Sequence, residues 1–172
     1  MITIRKAVYD DLQEISRIDE EIFLDESHPQ KIWSHFFFTG TILVAEERIM
    51  SDDNELIEVV IVGFTAYISM DQDSLFISPM CSEFMAINEI MELGHIASLG
   101  VLESHRCKGI GQTLITEVLS QFNKLPITLN VRVSNEKAIN LYRKNEFHIY
   151  ENKELNYYNN PSEDAYFMFR MF

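Results

Sequence analysis

The chain has 172 residues, 47% of them hydrophobic, which is enough to bury one core without disulfide staples and suggests a single domain over residues 1–172. Its formal net charge of −13 excludes general nucleic-acid binding, which needs a broad phosphate-neutralising face, and favours a cationic partner such as an amine or a basic peptide. No basic-then-apolar leader and no run near the ~18 apolar residues of a membrane span is present, so a cytoplasmic protein without membrane contact is expected, as a monomer or homodimer.

Residues 2–7 alternate, with Ile2 and Ile4 on one face and Thr3 and Arg5 on the other, the period of a half-buried strand. Asp10 and Asp11 are placed to cap and charge a first helix whose apolar stripe is Leu12, Ile15, Ile18, Ile22 and Phe23. Pro29 opens a second short helix carrying Ile32, Trp33, Phe36 and Phe37, an aromatic face that suits either core packing or a ligand. Residues 41–45 and 58–68 are rich in β-branched side chains and flank the turn-forming Ser51-Asp52-Asp53-Asn54, which predicts a hairpin. Residues 70–90, with Pro79 and scattered aromatics and acids, predict an insertion or mobile loop.

Residues 95–101 form a short apolar run suited to a buried central strand. The helix after it presents Leu114, Ile115, Val118, Leu119 and Phe122 on one face and ends before Pro126. A strand over 127–133 and a helix from Asn135 through Ala138, Ile139, Leu141 and Tyr142 come next. Residues 147–150 and 165–172 complete the pattern as two strands joined across Tyr157-Tyr158-Asn159-Asn160-Pro161. The order β, α, α, β, β, β, α, β, α, β, β requires an α/β domain with a mixed sheet.

The segment Arg106-Cys107-Lys108-Gly109-Ile110-Gly111-Gln112 joins a buried strand to an amphipathic helix, whose N-terminal N–H groups favour anions. Gly109 and Gly111 remove β-carbons that would keep a pyrophosphate from the backbone, while Arg106 and Lys108 add positive charge to an acidic chain. No Gly-Lys-Ser/Thr follows, and the G-x-G-x-x-G pattern with its distant acid is missing, which removes ATP and NAD and leaves a phosphorylated cofactor such as coenzyme A. Cys81 and Cys107 have no partners at metal-ligand spacing, so no metal is expected, and Cys107 has no base motif attached to it.

Leu99-Gly100-Val101, then the Arg106 to Gly111 loop, then Asn135, Ala138, Leu141-Tyr142 and Phe147 resemble, in order, the acetyl-CoA-binding half of the GNAT N-acetyltransferases. Gly94 to Leu99, Asn130 to Glu136, Tyr157-Tyr158 and Glu163 to Tyr166 are similar to protein N-terminal acetyltransferases, the ribosomal-protein alanine type among them. The resemblance implies a mixed sheet of six to seven strands with about four helices, splayed between the strands at Ile96 and Leu129. It further implies that Leu99, Gly100 and Val101 pair with pantetheine, that Arg106, Cys107, Lys108, Gly109, Ile110, Gly111 and Gln112 hold the pyrophosphate, and that Asn135 bonds the cofactor arm. Tyr142 is the implied proton donor to the departing thiolate, a role that suits a neutral phenol.

One position departs from the family pattern: relatives often carry Glu or His where this chain has Asn130, and an amide cannot take a proton. His95 in the neighbouring strand is the substitute base, with Glu92 second. The acceptor site falls to Phe23, Leu24 and Asp25 at the end of the first helix and to Tyr157 and Tyr158. The expected reaction moves acetyl from acetyl-CoA to a peptide N-terminal α-amine. A small amine acceptor (polyamine, aminoglycoside or amino acid) and a non-catalytic acyl-CoA-binding module are the alternatives.

Overall fold

In the structure, a computed structural model, the described residues are 1–24, 27–71, 73–74 and 79–172, with Glu151 and Asn152 described by backbone alone. Among the described residues the helices and strands run in the order β1 (Ile2–Lys6), α1 (Leu12–Phe23), α2 (Gln30–Thr39), β2 (Thr41–Met50), β3 (Leu56–Asp71), α3 (Pro79–Ile87), β4 (Glu92–Val101), α4 (Ile110–Gln121), β5 (Ile127–Arg132), α5 (Glu136–Lys144), β6 (His148–Asn159) and β7 (Ser162–Arg170). Single 3-10 turns occupy Tyr9–Asp11 and Glu103–His105. Seven strands join one mixed sheet in the order β1-β2-β3-β4-β5-β7-β6. The backbone falls into two units, Met1–Tyr67 with Ser98–Glu117 and Ile68–Ala97 with Val118–Phe172.

The first unit is built on antiparallel pairing of β1 with β2 and of β2 with β3, the latter broken by register shifts at Ala45/Glu46 and Ile49/Met50. Both hairpin strands run longer than the sequence predicts, because β2 continues through polar residues to Met50. Leu12, Ile15 and Ile18 of α1 and Trp33 of α2 bury against Ile42, Val44, Ile61, Phe64 and Ala66. Of the predicted aromatic face of α2, Trp33 alone is fully buried, while Phe36 and Phe37 pack partly buried against the same cluster. Asp11 stands at the expected N-cap position of α1, but its side chain makes no cap hydrogen bond there. The Asp11 carboxylate instead accepts from Val8 N at 2.7 Å and from the Arg5 guanidinium at 2.6 Å, which holds it below the usual carboxylate range.

In the second unit β4 runs parallel to β5, in the register Gly94↔Ile127 to Ile96↔Leu129, and β7 pairs antiparallel with both β5 and β6. The β4–β5 register stops at Ile96↔Leu129, the residues where the resemblance sets the splay. Where an insertion or mobile loop was expected over residues 70–90, the described part holds a helix, and residues 72 and 75–78 lie outside the described residues. Met70 ends a strand core, and α3 buries Cys81, Phe84 and Met85 in a cluster with Ile90, Leu93 and Phe167. Phe84 lies edge-on or tilted to Tyr150, Phe167 and Phe169 at centroid distances of 5.1–5.6 Å. Phe84, which looks like a stray aromatic in the sequence, is one side of that cluster, and α3 is a fifth helix among the described residues where about four were expected.

β4 also passes close to its neighbours through glycines. A Cβ on Gly94 would lie 2.9 Å from the Phe122 ring, and one on Gly100 would lie 2.9 Å from Ile22 Cδ1. Bulk at either position would push apart the helix that covers the strand.

Candidate active site

Within the first unit, β4 ends at Val101 and the 3-10 turn at Glu103–His105 reverses the chain into the loop ahead of α4. Cys107 takes φ +62° and Gly109 φ +82°, two left-handed residues on either side of Lys108. Such a turn directs main-chain N–H groups inward, and α4 adds the N–H groups of its first turn. A Cβ placed on Gly109 would meet nothing within 4 Å, so the loop is unobstructed at that point. Arg106 anchors the loop to the strand, its Nε donating to Val101 O at 3.1 Å. His105 Nε2 bonds Glu47 Oε2 at 3.0 Å, and that contact, aided by the Lys108 charge, lowers the Glu47 pKa. The open cradle, two cationic residues and a helix N-terminus fit a diphosphate and its attached arm, the group the sequence led us to expect.

Within the second unit, Asn135 caps α5, its Oδ1 accepting from Ala138 N at 3.1 Å, which leaves Nδ2 as the donor it can offer a ligand. Tyr142, on the same helix, is buried and edge-on to Phe147 at 5.8 Å. Burial pushes its phenol up to about 12, so it remains protonated and able to donate at neutral pH.

His95 is half-buried, with Nδ1 2.9 Å from Thr128 Oγ1. Burial lowers its pKa to about 4, so the ring is neutral at pH 7 but a weak acceptor of protons. The second candidate base, Glu92, is exposed and accepts from Ser69 Oγ. Asn130 Nδ2 donates to Glu154 Oε2 at 2.5 Å, while Asn130 Oδ1 is buried without a hydrogen-bond partner. Sequence reasoning missed Glu154, because the strand was expected over 147–150 and the structure extends β6 to Asn159. The strand register shifts between Ile149 and Lys153, so no period carried on from the predicted strand marks Glu154.

Tyr157 and Tyr158 were expected in the connection between the last strands but lie within β6 itself. Neighbouring strand residues normally face opposite sides, yet these rings stand edge to face at 5.0 Å. The cause is an irregularity at Asn156, whose φ of +51° breaks the alternation and whose N–H donates to Asp164 Oδ1 at 3.0 Å. The Arg132 guanidinium covers the Tyr158 ring at 4.2 Å and pairs with Glu163 at 2.7 Å, fixing that tyrosine. Phe23 is half-buried in the first unit, and Leu24 beside it is 72% exposed with φ +49° and ψ −119°, a region that disfavours any side chain. Asp25 lies outside the described residues. Cys81 is buried, its thiol pushed up to about 11, and Cys107 is exposed. Among the described residues no His, Cys, Asp and Glu group could hold a metal ion, and no helix is long and apolar enough to cross a membrane.

Residues 6–147 match the sequence profile of the acetyltransferase (GNAT) family. An N-alpha-acetyltransferase of Saccharolobus solfataricus is 31% identical over 172 residues, covering 98% of this chain and 92% of that protein. An N-alpha-acetyltransferase of Sulfurisphaera tokodaii is 38% identical over 91 residues, 51% of this chain and 53% of that protein, so this match spans about half of the relative. Among solved structures, Arabidopsis thaliana NAA60 in complex with acetyl-CoA superposes with a TM-score of 0.78 at 21% identity, covering 100% of both chains. The Escherichia coli ribosomal-protein-S18-alanine N-acetyltransferase superposes at 0.71 with 16% identity, covering 99% of this chain and 93% of that one. The two structures share the fold, and the sequence matches establish the kinship: this chain belongs to the acetyltransferase (GNAT) family.

Proposed function

We propose that residues 1–172 act in the cytoplasm as one catalytic domain, an acetyl-CoA-dependent N-acetyltransferase whose acceptor is a protein or peptide N-terminal α-amine. β3, β4 and α4 each pass from one unit into the other, which supports a single working domain. The observation that carries the reading is the loop before α4, where left-handed Cys107 and Gly109 open the backbone beside Arg106 and Lys108. In this proposal the main chain of Leu99, Gly100 and Val101 pairs with pantetheine, the loop from Arg106 to Gln112 seats the diphosphate, and Asn135 donates to the arm through Nδ2. Coenzyme A supplies an acetyl group activated as a thioester.

Tyr142 keeps its proton until a thiolate needs it, because burial disfavours the phenolate. Phe23, Leu24, Tyr157 and Tyr158 contact the acceptor. Leu24 supports this, since a strained backbone conformation under an exposed apolar side chain is the kind of feature that collects at binding sites. The N-alpha-acetyltransferase names of the archaeal relatives and the net charge of −13 favour a cationic peptide N-terminus over other acceptors. An α-amine of pKa near ~8 needs only about 1 kcal/mol to lose its proton at pH 7, against about 4–5 for a lysine near ~10.4, so a weakly basic site suffices.

The test offers acetyl-CoA with peptides bearing free and blocked α-amines, alongside spermidine. Acetylation of the free-amine peptides is expected, and turnover of spermidine alone overturns the acceptor assignment.

A further inference from the structure

We infer that Glu154 receives the acceptor amine's proton, with Asn130 as its positioning partner, a role that rests on the proposed N-terminal acetyltransferase activity. Asn130 has one acceptor oxygen and a two-proton donor, and the structure uses them unequally. Nδ2 donates to Glu154 Oε2 at 2.5 Å, while Oδ1 is buried with nothing to accept from. A buried acceptor left unpaired is a standing penalty unless a donor arrives. Oδ1 and the second Glu154 oxygen together offer two acceptors, and an ammonium or its bound water brings the donors they lack.

Asn130 follows Leu129, the last β5 residue in register with β4, and the pair lies within the second unit. The other titratable groups that feel the Glu154 charge are Tyr157 on its own strand and Cys81 on α3. Ala165 is its register partner on β7. Among the described residues no ion pair neutralises Glu154. Its carboxylate is half-buried, open enough to pass a proton on to water. In the step, one N–H bond of the ammonium breaks, its electron pair stays on nitrogen, and an O–H bond forms on Glu154. The protonated carboxyl then loses that proton to solvent. The base that the Asn130 position lacks is thus supplied from β6, the strand beyond β7 in the sheet.

The experiment compares the wild-type protein with Glu154→Gln, measuring kcat and KM for a free-amine peptide from pH 6 to 10. Calorimetry with coenzyme A and with free and N-acetylated peptides adds a readout apart from turnover. We expect kcat/KM to fall about 100-fold at pH 7 and the deficit to shrink to under about tenfold above the amine's own pKa of ~8. Coenzyme A affinity should be unchanged, and the preference for free over acetylated peptide should be lost. The exchange Asn130→Asp with Glu154→Gln keeps the hydrogen bond with reversed polarity and should restore the pH profile in part. An unchanged profile in Glu154→Gln, or an equal loss at every pH, overturns the inference while leaving the acetyltransferase reading in place. A wild-type protein that acetylates no peptide overturns both.

Discussion

Replacing Gly109 by alanine separates what the loop needs to fold from what it needs to bind. At φ +82° an L-residue costs about 1–2 kcal/mol of backbone strain, and the added methyl meets no atom within 4 Å, so no packing penalty is added. For a chain of 172 residues each kcal/mol moves Tm by about 2–4 °C, which gives an expected drop of about 2–8 °C. The binding effect is larger. Strain at this left-handed residue shifts the loop proposed to seat the diphosphate, and losing one charge-assisted hydrogen bond of about 1.5–3 kcal/mol weakens coenzyme A by about 10- to 150-fold. Differential scanning fluorimetry and isothermal calorimetry on the same preparation read both quantities. A lower Tm with unchanged affinity for acetyl-CoA would show that the diphosphate sits elsewhere and refute the cradle argument.

Phe84→Ala should destabilise by about 3–5 kcal/mol in urea unfolding, because its ring is fully buried among Tyr150, Phe167 and Phe169; a change under about 1 kcal/mol would contradict the core role of α3. Tyr142→Phe should lower kcat by about 10²–10⁴ with coenzyme A affinity kept, and stopped-flow or steady-state assays read the split. His95 is held at about 4 in the folded chain against an ordinary 6.5, so its contribution to stability is complete above pH 6.5 and is lost as pH falls from 6.5 to about 4. The loss is at most about 3 kcal/mol and smaller for a half-buried ring, and His95→Gln should flatten the Tm profile over that window.

The parts of the fold that the sequence reveals are those whose local pattern and tertiary role agree. The stripe of α1 and the strand, loop and helix around Gly109 are of this kind, since the periodicity and the turn glycine serve the same contacts found in the structure. Helix α3 hides its role because Phe84 and its neighbours bury against β6 and β7, which lie far ahead in the chain, and no local period records such a contact. Asp11 misleads in the same way. Its position predicts a helix cap, yet the Arg5 guanidinium on β1 and the Val8 N–H take both carboxylate oxygens. At the site, Asn130 is legible as an irregular residue, but the carboxylate beside it is not. Glu154 becomes visible only when β6 is drawn against β7 to its full length.

The central claim is that this chain moves an acetyl group from coenzyme A to a peptide N-terminus. Incubating the purified protein with acetyl-CoA and a free-amine peptide, then fragmenting the product in a mass spectrometer, tests it most directly. The account predicts one acetyl group on the α-nitrogen and none on an internal lysine of the same peptide. Acetyl on the lysine alone, or an unmodified peptide at saturating cofactor, would contradict it.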